Sequence, residues 1–315
     1  MASFANDEGT EQEDLETKVL KQWRSEGVVP IEEEDFSEDV VSIAYPQQFV
    51  ALMGFFRAAL KMNDHSEKAL LLTECLIDYN AANYTVWYFR RICLAALRID
   101  TAEELAYVNR MAGSNPKNYQ IWYHRRALIE KEMSLELAKA ELKYTATVFG
   151  SDAKNYHAWS QRQWILKTFN LWHGELEFVE SLLEADVRNN SAWNQRWFVV
   201  EHTGSVNDED TFRREIEFCM GKIEIVGDNQ AAWNYFSGLM RKRDFANYPG
   251  IAEWVERGSA QESVAAPHLA VLVDVLENRS GADSKARARE VCSTLASSAD
   301  TIRKNYWRWR EERIK

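Results

Sequence analysis

The fold is decided by the segment Pro116-Lys117-Asn118-Tyr119-Gln120-Ile121-Trp122-Tyr123-His124-Arg125-Arg126. Asn118, Trp122 and Arg125 form the pattern Asn-x-x-x-Trp-x-x-Arg within it. The pattern recurs at three further places: Asn83, Trp87 and Arg90; Asn155, Trp159 and Arg162; and Asn189, Trp193 and Arg196. A fifth copy has Asn229 and Trp233 but Phe236 instead of arginine. Successive tryptophans lie 35, 37, 34 and 40 residues apart, and a period in this range is typical of stacked helical hairpins.

The spacing of the motif has a direct physical interpretation. Positions three and four apart share one face of a helix. The asparagine, which can accept a hydrogen bond from a free backbone N–H of the first turn, is predicted to be a helix cap. Each buried indole contributes about 4–6 kcal/mol of gross transfer free energy. The arginine can stack on a ring or bond carbonyls at a neighbouring helix end. We therefore interpret the Asn, Trp and Arg positions as residues that hold the helices together.

The rest of the chain predicts an all-α fold of the alpha-alpha superhelix class, a crescent of stacked helical hairpins. Thr101 and Glu104 match a capping box at the start of one helix, and residues 150–152 are expected to form a turn. Helices are predicted at 46–62, 66–78, 84–97, 101–113, 120–132, 135–148, 157–169, 175–186, 191–202, 209–225, 230–241, 251–256, 268–278, 285–297 and 301–314. Residues 41–315 are predicted to form a single solenoid domain. Residues 1–40 are predicted to be an acidic, flexible arm with a short helix around 16–24.

Charge and composition exclude several classes of protein. The net charge is −11, and residues 1–40 carry 13 acidic and 3 basic residues. The body of the chain is therefore almost neutral and lacks the basic stripe of a nucleic-acid binder. No apolar run approaches the length of a membrane span, and the acidic N-terminus does not resemble a signal peptide.

The cysteines and histidines indicate no metal site or disulfide framework in this chain. Cys75, Cys93, Cys219 and Cys292 lie far apart, and the six histidines are equally scattered. Four dispersed cysteines in a chain of this size are typical of a reduced, cytoplasmic protein. The spacings show no zinc-ligand pattern, so we expect neither a metal nor another cofactor bound by this chain alone.

Candidate binding residues lie at the predicted helix starts. Lys117, Tyr119 and Gln120 precede or begin one helix, and Lys154, Tyr156 and His157 hold equivalent places one repeat later. A cation, a phenol and an amide beside free backbone N–H groups suit a phosphate or a carboxylate. The row Tyr84, Tyr119 and Tyr156 can be a binding face or can fill the grooves between repeats, and the spacing alone does not decide between these.

These motifs resemble the α subunit shared by protein farnesyltransferase and protein geranylgeranyltransferase type I. The resemblance extends from about residue 45 to residue 309 and is strongest at 80–91, 116–126, 152–164 and 186–196. Residues 301–307 are similar to the C-terminal helix of that family. Linked motifs in the family's order make the resemblance specific.

The resemblance implies a heterodimer with a separate β subunit. That subunit is expected to carry zinc and most of the isoprenoid pocket, with magnesium as a further candidate at the diphosphate. The implied reaction transfers farnesyl or geranylgeranyl from its diphosphate to the cysteine of a C-terminal CaaX motif, in substrates such as Ras-like GTPases. The active site would lie where the two subunits meet.

The resemblance also implies individual roles. Lys117 corresponds to the lysine that reaches the diphosphate, and Tyr119 and His157 are expected beside it as further catalytic groups. Tyr156 and Lys154 are expected to bind substrate. Gln120 corresponds to the glutamine that bonds the terminal carboxylate of the peptide, and Tyr84 to an aromatic wall of the pocket for its last residue. Without the resemblance, Lys117 would be interpreted as a solvated lysine at a helix entrance and His157 as a structural histidine.

Two other interpretations remain open at the level of sequence. The α subunit of Rab geranylgeranyltransferase has related repeats but acts with an escort protein on double-cysteine tails. A non-catalytic scaffold of the tetratricopeptide kind has a similar period, but its motif needs Gly and Ala at close-packing positions. This chain has Asn, Trp and Arg at its repeating positions.

Overall fold

A computed structural model describes residues 8–33, 43–204, 207–260 and 264–315, with the side chains of residues 8–14 left undescribed. Helices and short turns account for these residues, and none of them forms a β-strand. The fold class is all-α, in the alpha-alpha superhelix class predicted from the sequence. The helices are α1 (Glu8–Ser25), α2 (Gln47–Met62), α3 (Glu67–Tyr79), α4 (Tyr84–Leu97), α5 (Thr101–Ser114), α6 (Tyr119–Glu132), α7 (Leu135–Ser151), α8 (Tyr156–Phe169), α9 (Glu175–Ala185), α10 (Asn190–His202), α11 (Glu209–Ile225), α12 (Gln230–Met240), α13 (Pro249–Gly258), α14 (Ala266–Asn278), α15 (Ala282–Thr294) and α16 (Lys304–Arg313). None of the helices in the described ranges has the length and apolar character needed to cross a membrane.

The helix ends differ from the predictions in a few places. Helix α7 continues to Ser151, through most of the turn predicted at 150–152. Helix α13 begins at Pro249, because a proline is tolerated where the backbone N–H would have no partner in any case. The last predicted helix is divided into a 3-10 turn at Thr301–Arg303 and the α-helix α16.

The described residues fall into two compact units. The first contains residues up to 146 together with 155–162, and the second contains 147–154 together with 163–315. The second unit has its own core, which includes Trp193, Phe212, Trp233 and Phe236. The single solenoid domain expected for residues 41–315 stays a prediction.

The N-terminal segment of the first unit includes a packed helix. Trp23 of α1 is fully buried, as is Val19, and the Trp23 ring centroid lies 5.8 Å from that of Phe55 in α2. The Lys68 ammonium of α3 lies over the same indole. The helix expected around 16–24 in the acidic arm therefore runs over Glu8–Ser25, and burial anchors its C-terminal half. Residues 1–7 and 34–40 of the arm lie outside the described part of the chain.

The motif asparagines cap the helices that they precede. Asn83 Oδ1 accepts hydrogen bonds from the backbone N–H groups of Thr85 and Val86 at 3.1 and 3.3 Å. The same side chains also link repeats, since Asn229 Nδ2 donates to the Val187 carbonyl at 2.7 Å. One local pattern therefore both starts a helix and fixes it to the hairpin before. Corresponding caps come from Asn118, Asn155, Asn189 and Asn229.

The motif tryptophans lie in the core. Trp87 is completely buried, and its Nε1 donates to the Ala81 carbonyl, six residues earlier, at 2.9 Å. The Trp87 ring centroid lies 4.7 Å from that of His124 in α6. Because no part of Trp87 reaches the surface, it can pack helices together but cannot contact a ligand. The same bond to a carbonyl six residues earlier is made by Trp122, Trp193 and Trp233, and the most exposed motif tryptophan, Trp159, is 7% exposed.

The capping box predicted at Thr101 and Glu104 is wrong. The cap of α5 is Asp100, whose Oδ1 accepts from the backbone N–H of Ala102 at 2.7 Å. Thr101 lies inside the helix and donates instead to Glu132 Oε1 at 2.9 Å. Glu104 is buried and is held in the core by charged partners, so it does not reach back to the helix start.

Buried glutamates connect neighbouring hairpins, and we call them the glutamate bridges: Glu104, Glu141, Glu175 and Glu215. Glu104 accepts from Arg90 Nε at 2.7 Å and contacts His124 Nε2 at 2.8 Å. Glu141 accepts in the same way from Arg125 and Gln161, and Glu215 from Arg196 and Tyr235. Glu175 accepts from Gln195. One partner of each of the four glutamates is the residue two places after the tryptophan of the next motif copy.

The motif arginines make further contacts in addition to these ion pairs. The Arg125 guanidinium carbon lies 3.5 Å from the centroid of the Tyr144 ring, and Arg162 Nη1 donates to the Leu142 carbonyl at 2.8 Å. Stacking on a ring and bonding a carbonyl are the two kinds of contact that a planar guanidinium favours. One side chain therefore ties its helix to several neighbours at once.

Candidate functional site

The starts of α6 and α8 meet in the first unit. Tyr119 is the first residue of α6 and His157 the second of α8, and their ring centroids lie 4.3 Å apart with the planes perpendicular. The Trp122 indole lies nearly parallel to the imidazole, at 6.3 Å between centroids. His157 also hydrogen-bonds the backbone of Lys117. The structure therefore brings together Tyr119, His157 and the Lys117 backbone, and the catalytic roles expected of these three residues stay predictions.

The environment of His157 favours the neutral imidazole. Partial burial lowers the pKa of His157, and the hydrogen bond to the Lys117 backbone opposes that shift only in part. A histidine with a pKa below its ordinary value carries no charge near neutral pH. The Lys117 side chain at the same helix entrance is exposed. The imidazole of His157 contacts the rings of Tyr119 and Trp122.

The row of tyrosines is open to solvent. Tyr84, Tyr119 and Tyr156 begin α4, α6 and α8 and are 71%, 70% and 69% exposed. Rings exposed to this extent do not fill the grooves between repeats, so their placement fits a binding face. Tyr156 also presents its ring to His157 at 5.7 Å between centroids, with the planes at 76°.

Gln120 follows Tyr119 at the positive end of the α6 dipole. Its backbone N–H is used by the Asn118 cap, at 2.8 Å to Oδ1. Its side chain is half-exposed, and no hydrogen bond to it occurs in the described part of the chain. A free amide beside a helix N-terminus can donate to a carboxylate while the backbone there adds a favourable field.

Lys154 belongs to the second unit and has a carboxylate partner there. Its ammonium lies 3.4 Å from Asp186 Oδ2, with both side chains about half-exposed or more. Exposed pairs of this kind contribute only about 0–1 kcal/mol, so Lys154 can leave Asp186 for another anion at little cost. A role for Lys154 beside Tyr119 and His157 stays a prediction.

The fourth and fifth motif copies have different first-turn residues. Asn190 and Gln230 begin α10 and α12 where the earlier copies have tyrosine. A cavity of about 730 Å³ in the second unit is lined by residues of both helices, including Asn194, Trp197 and Asn234. The lining of this cavity also includes the charged residues Glu201, Arg241, Lys242 and Arg243.

Ligands for a metal do not converge in the described ranges. No group of three His, Cys, Asp or Glu side chains is placed there to hold an ion. The four cysteines are buried and unpaired, and burial raises the pKa of Cys75 to about 12 and of Cys93 to about 11. Burial therefore keeps these thiols protonated at neutral pH.

Comparison with known proteins gives the hairpins a family. The model of the protein prenyltransferase alpha subunit repeat matches residues 66–97, 101–132, 138–169 and 172–203. Each matched segment covers a length close to the period of the tryptophan motif and contains most of two successive helices. The chain is thus a helical-repeat protein of the prenyltransferase α class.

Full-length relatives and a solved structure narrow that class. The farnesyltransferase/geranylgeranyltransferase type-1 subunit alpha of Solanum lycopersicum is 38% identical over 91% of this chain and 88% of the relative. The protein of the same name from Dictyostelium discoideum is 33% identical over 97% of both chains. A chain of Candida albicans protein geranylgeranyltransferase-I complexed with GGPP superposes with a TM-score of 0.83 at 27% identity, covering 92% of this chain and 98% of that one. This chain belongs to the family of α subunits shared by protein farnesyltransferase and geranylgeranyltransferase type I.

Proposed function

We propose that this chain acts as the α subunit of a heterodimeric CaaX prenyltransferase. The complex transfers farnesyl or geranylgeranyl from its diphosphate to a cysteine thiolate in a C-terminal CaaX motif. The observation that carries the proposal is the cluster of Lys117, Tyr119 and His157 where two helix N-termini meet. Family membership supports it, and the Candida albicans neighbour is described as a complex with GGPP.

In this proposal the cluster stabilises the leaving diphosphate. Negative charge grows on that group as the bond to the prenyl carbon breaks, and fixed donors that meet this charge lower the barrier. Lys117 supplies the cation and the Tyr119 hydroxyl a hydrogen bond. His157 is packed edge-on against Tyr119, and so orients that phenol. Because these contacts strengthen as charge develops, they act on the transfer step more than on substrate affinity.

The remaining candidate residues are proposed to bind substrate. Gln120 donates its free amide to the terminal carboxylate of the CaaX peptide, and Tyr84 forms part of the wall around the last residue. Tyr156 lines the site beside His157, and Lys154 adds positive charge once it leaves Asp186. The exposure of both tyrosines and the half-exposed Gln120 side chain support these roles.

The partner and the cofactors complete the proposal. A β subunit is proposed to supply zinc, which holds the substrate thiolate, and most of the isoprenoid pocket, with magnesium accompanying the diphosphate. Support for the partner comes from membership of a family of α subunits, and support for the diphosphate comes from the Candida albicans geranylgeranyltransferase-I complexed with GGPP. CaaX proteins such as Ras-like GTPases are the proposed substrates, in the cytoplasm. The almost neutral body of the chain supports no role in binding nucleic acid.

Coexpression with a prenyltransferase β subunit tests the proposal. The purified complex should contain one copy of each chain and transfer labelled prenyl groups to a CaaX peptide, whereas neither chain alone should do so. A monodisperse single chain that binds no β subunit and transfers no prenyl group would contradict the proposal and favour a non-catalytic helical-repeat scaffold.

A further inference from the structure

Arg91 has an unusual environment in the first unit. It follows the motif residue Arg90 in α4, but Arg90 enters the core to meet Glu104 while Arg91 is only half-buried. Arg91 Nη1 lies 3.4 Å from His124 Nδ1, and its guanidinium carbon lies 5.1 Å from the centroid of the Tyr123 ring. The two adjacent arginines therefore have different partners.

Arg91 has no carboxylate partner anywhere in the described ranges of the chain. The charged arginines around it do: Arg90 pairs with Glu104, Arg125 with Glu141, and Arg126 lies 3.9 Å from Glu130. Burial lowers the pKa of Arg91, and the side chains that act on it electrostatically are the phenols of Tyr123 and Tyr88, with no carboxylate among them. A cation that loses water without gaining an anion is unfavourable, so the site is incomplete as it stands.

His124 does not supply the missing charge. Its Nε2 contacts Glu104 Oε1 at 2.8 Å, which places the ring proton on Nε2 and leaves Nδ1 as a neutral acceptor for Arg91. Burial lowers the pKa of His124, so the ring stays neutral. His124 thus holds one N–H of the guanidinium in place, and the remaining donors stay available.

The missing anion has to approach from the surface. The cavity beside Arg91, lined also by Thr101, Glu104 and Lys131, holds only about 50 Å³, which is room for a water molecule or two and not for a carboxylate side chain. The Glu104 carboxylate is already taken by Arg90 and His124. On the outer side Tyr88 and Tyr123 are 59% and 57% exposed. We call Arg91, Tyr88 and Tyr123 the Arg91 notch.

We propose that the Arg91 notch receives an acidic side chain of the β subunit and is a docking point between the subunits. The inference rests on the proposed heterodimer. Tyrosine and arginine are enriched at the centres of protein interfaces, and an arginine fixed on one side presents its fork to a carboxylate with little entropy to lose. Arg91 lies seven residues beyond Tyr84, about 10 Å along α4, and so is set back from the helix starts where substrate anions are proposed to bind. This separation assigns the notch to the partner subunit and not to the substrate.

Subunit affinity in the purified heterodimer tests the notch. Arg91→Gln keeps a donor for His124 Nδ1 and removes the charge, and Arg126→Gln is the matched control because Arg126 holds the same place one repeat later and already faces Glu130. The dissociation constant of the R91Q heterodimer, measured by dilution, should be about tenfold or more higher than that of the wild type. It should also depend less on salt concentration. R126Q should stay within about twofold of the wild type. Equal subunit affinities of R91Q and R126Q would contradict the docking role of the Arg91 notch and leave the proposed function intact. A wild-type chain that forms no complex with a β subunit would contradict both the docking role and the proposed function.

Chemical cross-linking gives a second test that does not depend on R91Q folding. Arg91→Lys keeps the charge and places an amine in the notch. A water-soluble carbodiimide activates a nearby carboxylate, the amine displaces the activated group to form an amide, and the reagent leaves as a urea. Mass spectrometry of the R91K heterodimer should then find position 91 joined to an Asp or Glu of the β subunit. A cross-link from position 91 only to the CaaX peptide, or none in an intact R91K complex, would contradict the proposal.

Discussion

His124 shows how one position of the repeat accepts different side chains for the same contact. It contacts the buried Glu104, while Gln161 and Gln195, in the equivalent places of the next two copies, donate to Glu141 and Glu175. Of these three, only the histidine is a titratable group. The contact is therefore a general feature of the repeat, and its pH dependence here belongs to His124.

Replacing His124 by glutamine should make stability less dependent on pH. Burial lowers the pKa of His124 in the folded protein, so below its ordinary value of about 6.5 the unfolded chain binds more protons than the folded one. Stability is therefore lost as the pH falls through that range. H124Q keeps a donor for Glu104, and its urea midpoint should change less than that of the wild type between about pH 5 and 6.5. Equal changes of the urea midpoint with pH in the two proteins would contradict this expectation. The control is His173→Gln, at an exposed histidine.

Replacing Gln120 by alanine should selectively weaken binding of the CaaX peptide. The Gln120 amide is proposed to bond the terminal carboxylate of the CaaX motif, a charge-assisted contact whose loss costs about 1.5–3 kcal/mol. In the heterodimer Q120A should raise KM for the peptide roughly tenfold or more and leave the affinity for prenyl diphosphate nearly unchanged. Equal losses for both substrates would contradict the assignment and indicate a disturbed fold.

At the residue scale the sequence predicts identities better than contacts. The positions of Lys117, Tyr119, Tyr156 and His157 at helix starts follow from the local motif and its caps. The perpendicular contact of Tyr119 with His157 and the lowered pKa of His157 depend on the angle between successive hairpins. No local pattern encodes that angle.

At the scale of elements, the glutamate bridges join each hairpin to the next. Glu141 accepts from Arg125 of the preceding helix α6 and from Gln161 of α8, so one carboxylate orients two helices. Because the arginine and glutamate side chains are almost completely buried, removing either leaves a charge without a partner. Such a loss typically costs about 3–5 kcal/mol.

Glu141→Ala is therefore expected to destabilise the chain by about 3–5 kcal/mol. The matched control is Glu130→Ala, which removes the exposed partner of Arg126 at 3.9 Å and should cost less than about 1 kcal/mol. Urea unfolding followed by circular dichroism measures both variants. Similar losses of unfolding free energy in the two variants would show that the buried glutamate stabilises the fold no more than the exposed one.

The sequence predicts the helices well because caps and apolar periods are local signals, but it does not reveal the bridges. The arginine and its glutamate are 14, 16 and 19 residues apart in the pairs Arg90/Glu104, Arg125/Glu141 and Arg196/Glu215. Hairpin loops of unequal length therefore hide the repeat. The capping box predicted at Thr101 and Glu104 is wrong because Glu104 matches a local pattern but makes a contact that is distant in sequence.

At the scale of the whole molecule, the N-terminal segment covers the first hairpin. Beyond α1 the chain crosses α2, where Ile31 N–H donates to the Gly54 carbonyl at 3.0 Å and Arg57 Nε donates to the Ile31 carbonyl at 2.8 Å. A Cβ atom at Gly54 would lie 2.9 Å from Pro30 Cβ, so only glycine allows this approach. Repeat proteins need such a cap at a terminal hairpin. The acidic composition of residues 1–40 predicts a flexible arm, and it gives no signal for the apolar face that buries Trp23.

Loss of the N-terminal cap should be costly. Trp23→Ala removes a fully buried indole and should destabilise the first unit by about 3–5 kcal/mol. Trp309→Ala, at a ring that is 50% exposed, is the matched control and should have a much smaller effect. Thermal unfolding and limited proteolysis near α1 would detect the difference, and equal stability of the two variants would show that α1 does not act as a cap.

We propose that Lys117 of this chain acts on the transfer step in the heterodimer, and the rate of single-turnover transfer measures that contribution. In the assembled complex K117A should slow transfer of the prenyl group to a CaaX peptide by more than about tenfold, while both substrates bind almost as before. Lys139→Ala, at an exposed lysine of α7, should transfer at the wild-type rate. An unchanged single-turnover rate in K117A would contradict the claim and remove Lys117 from the chemistry.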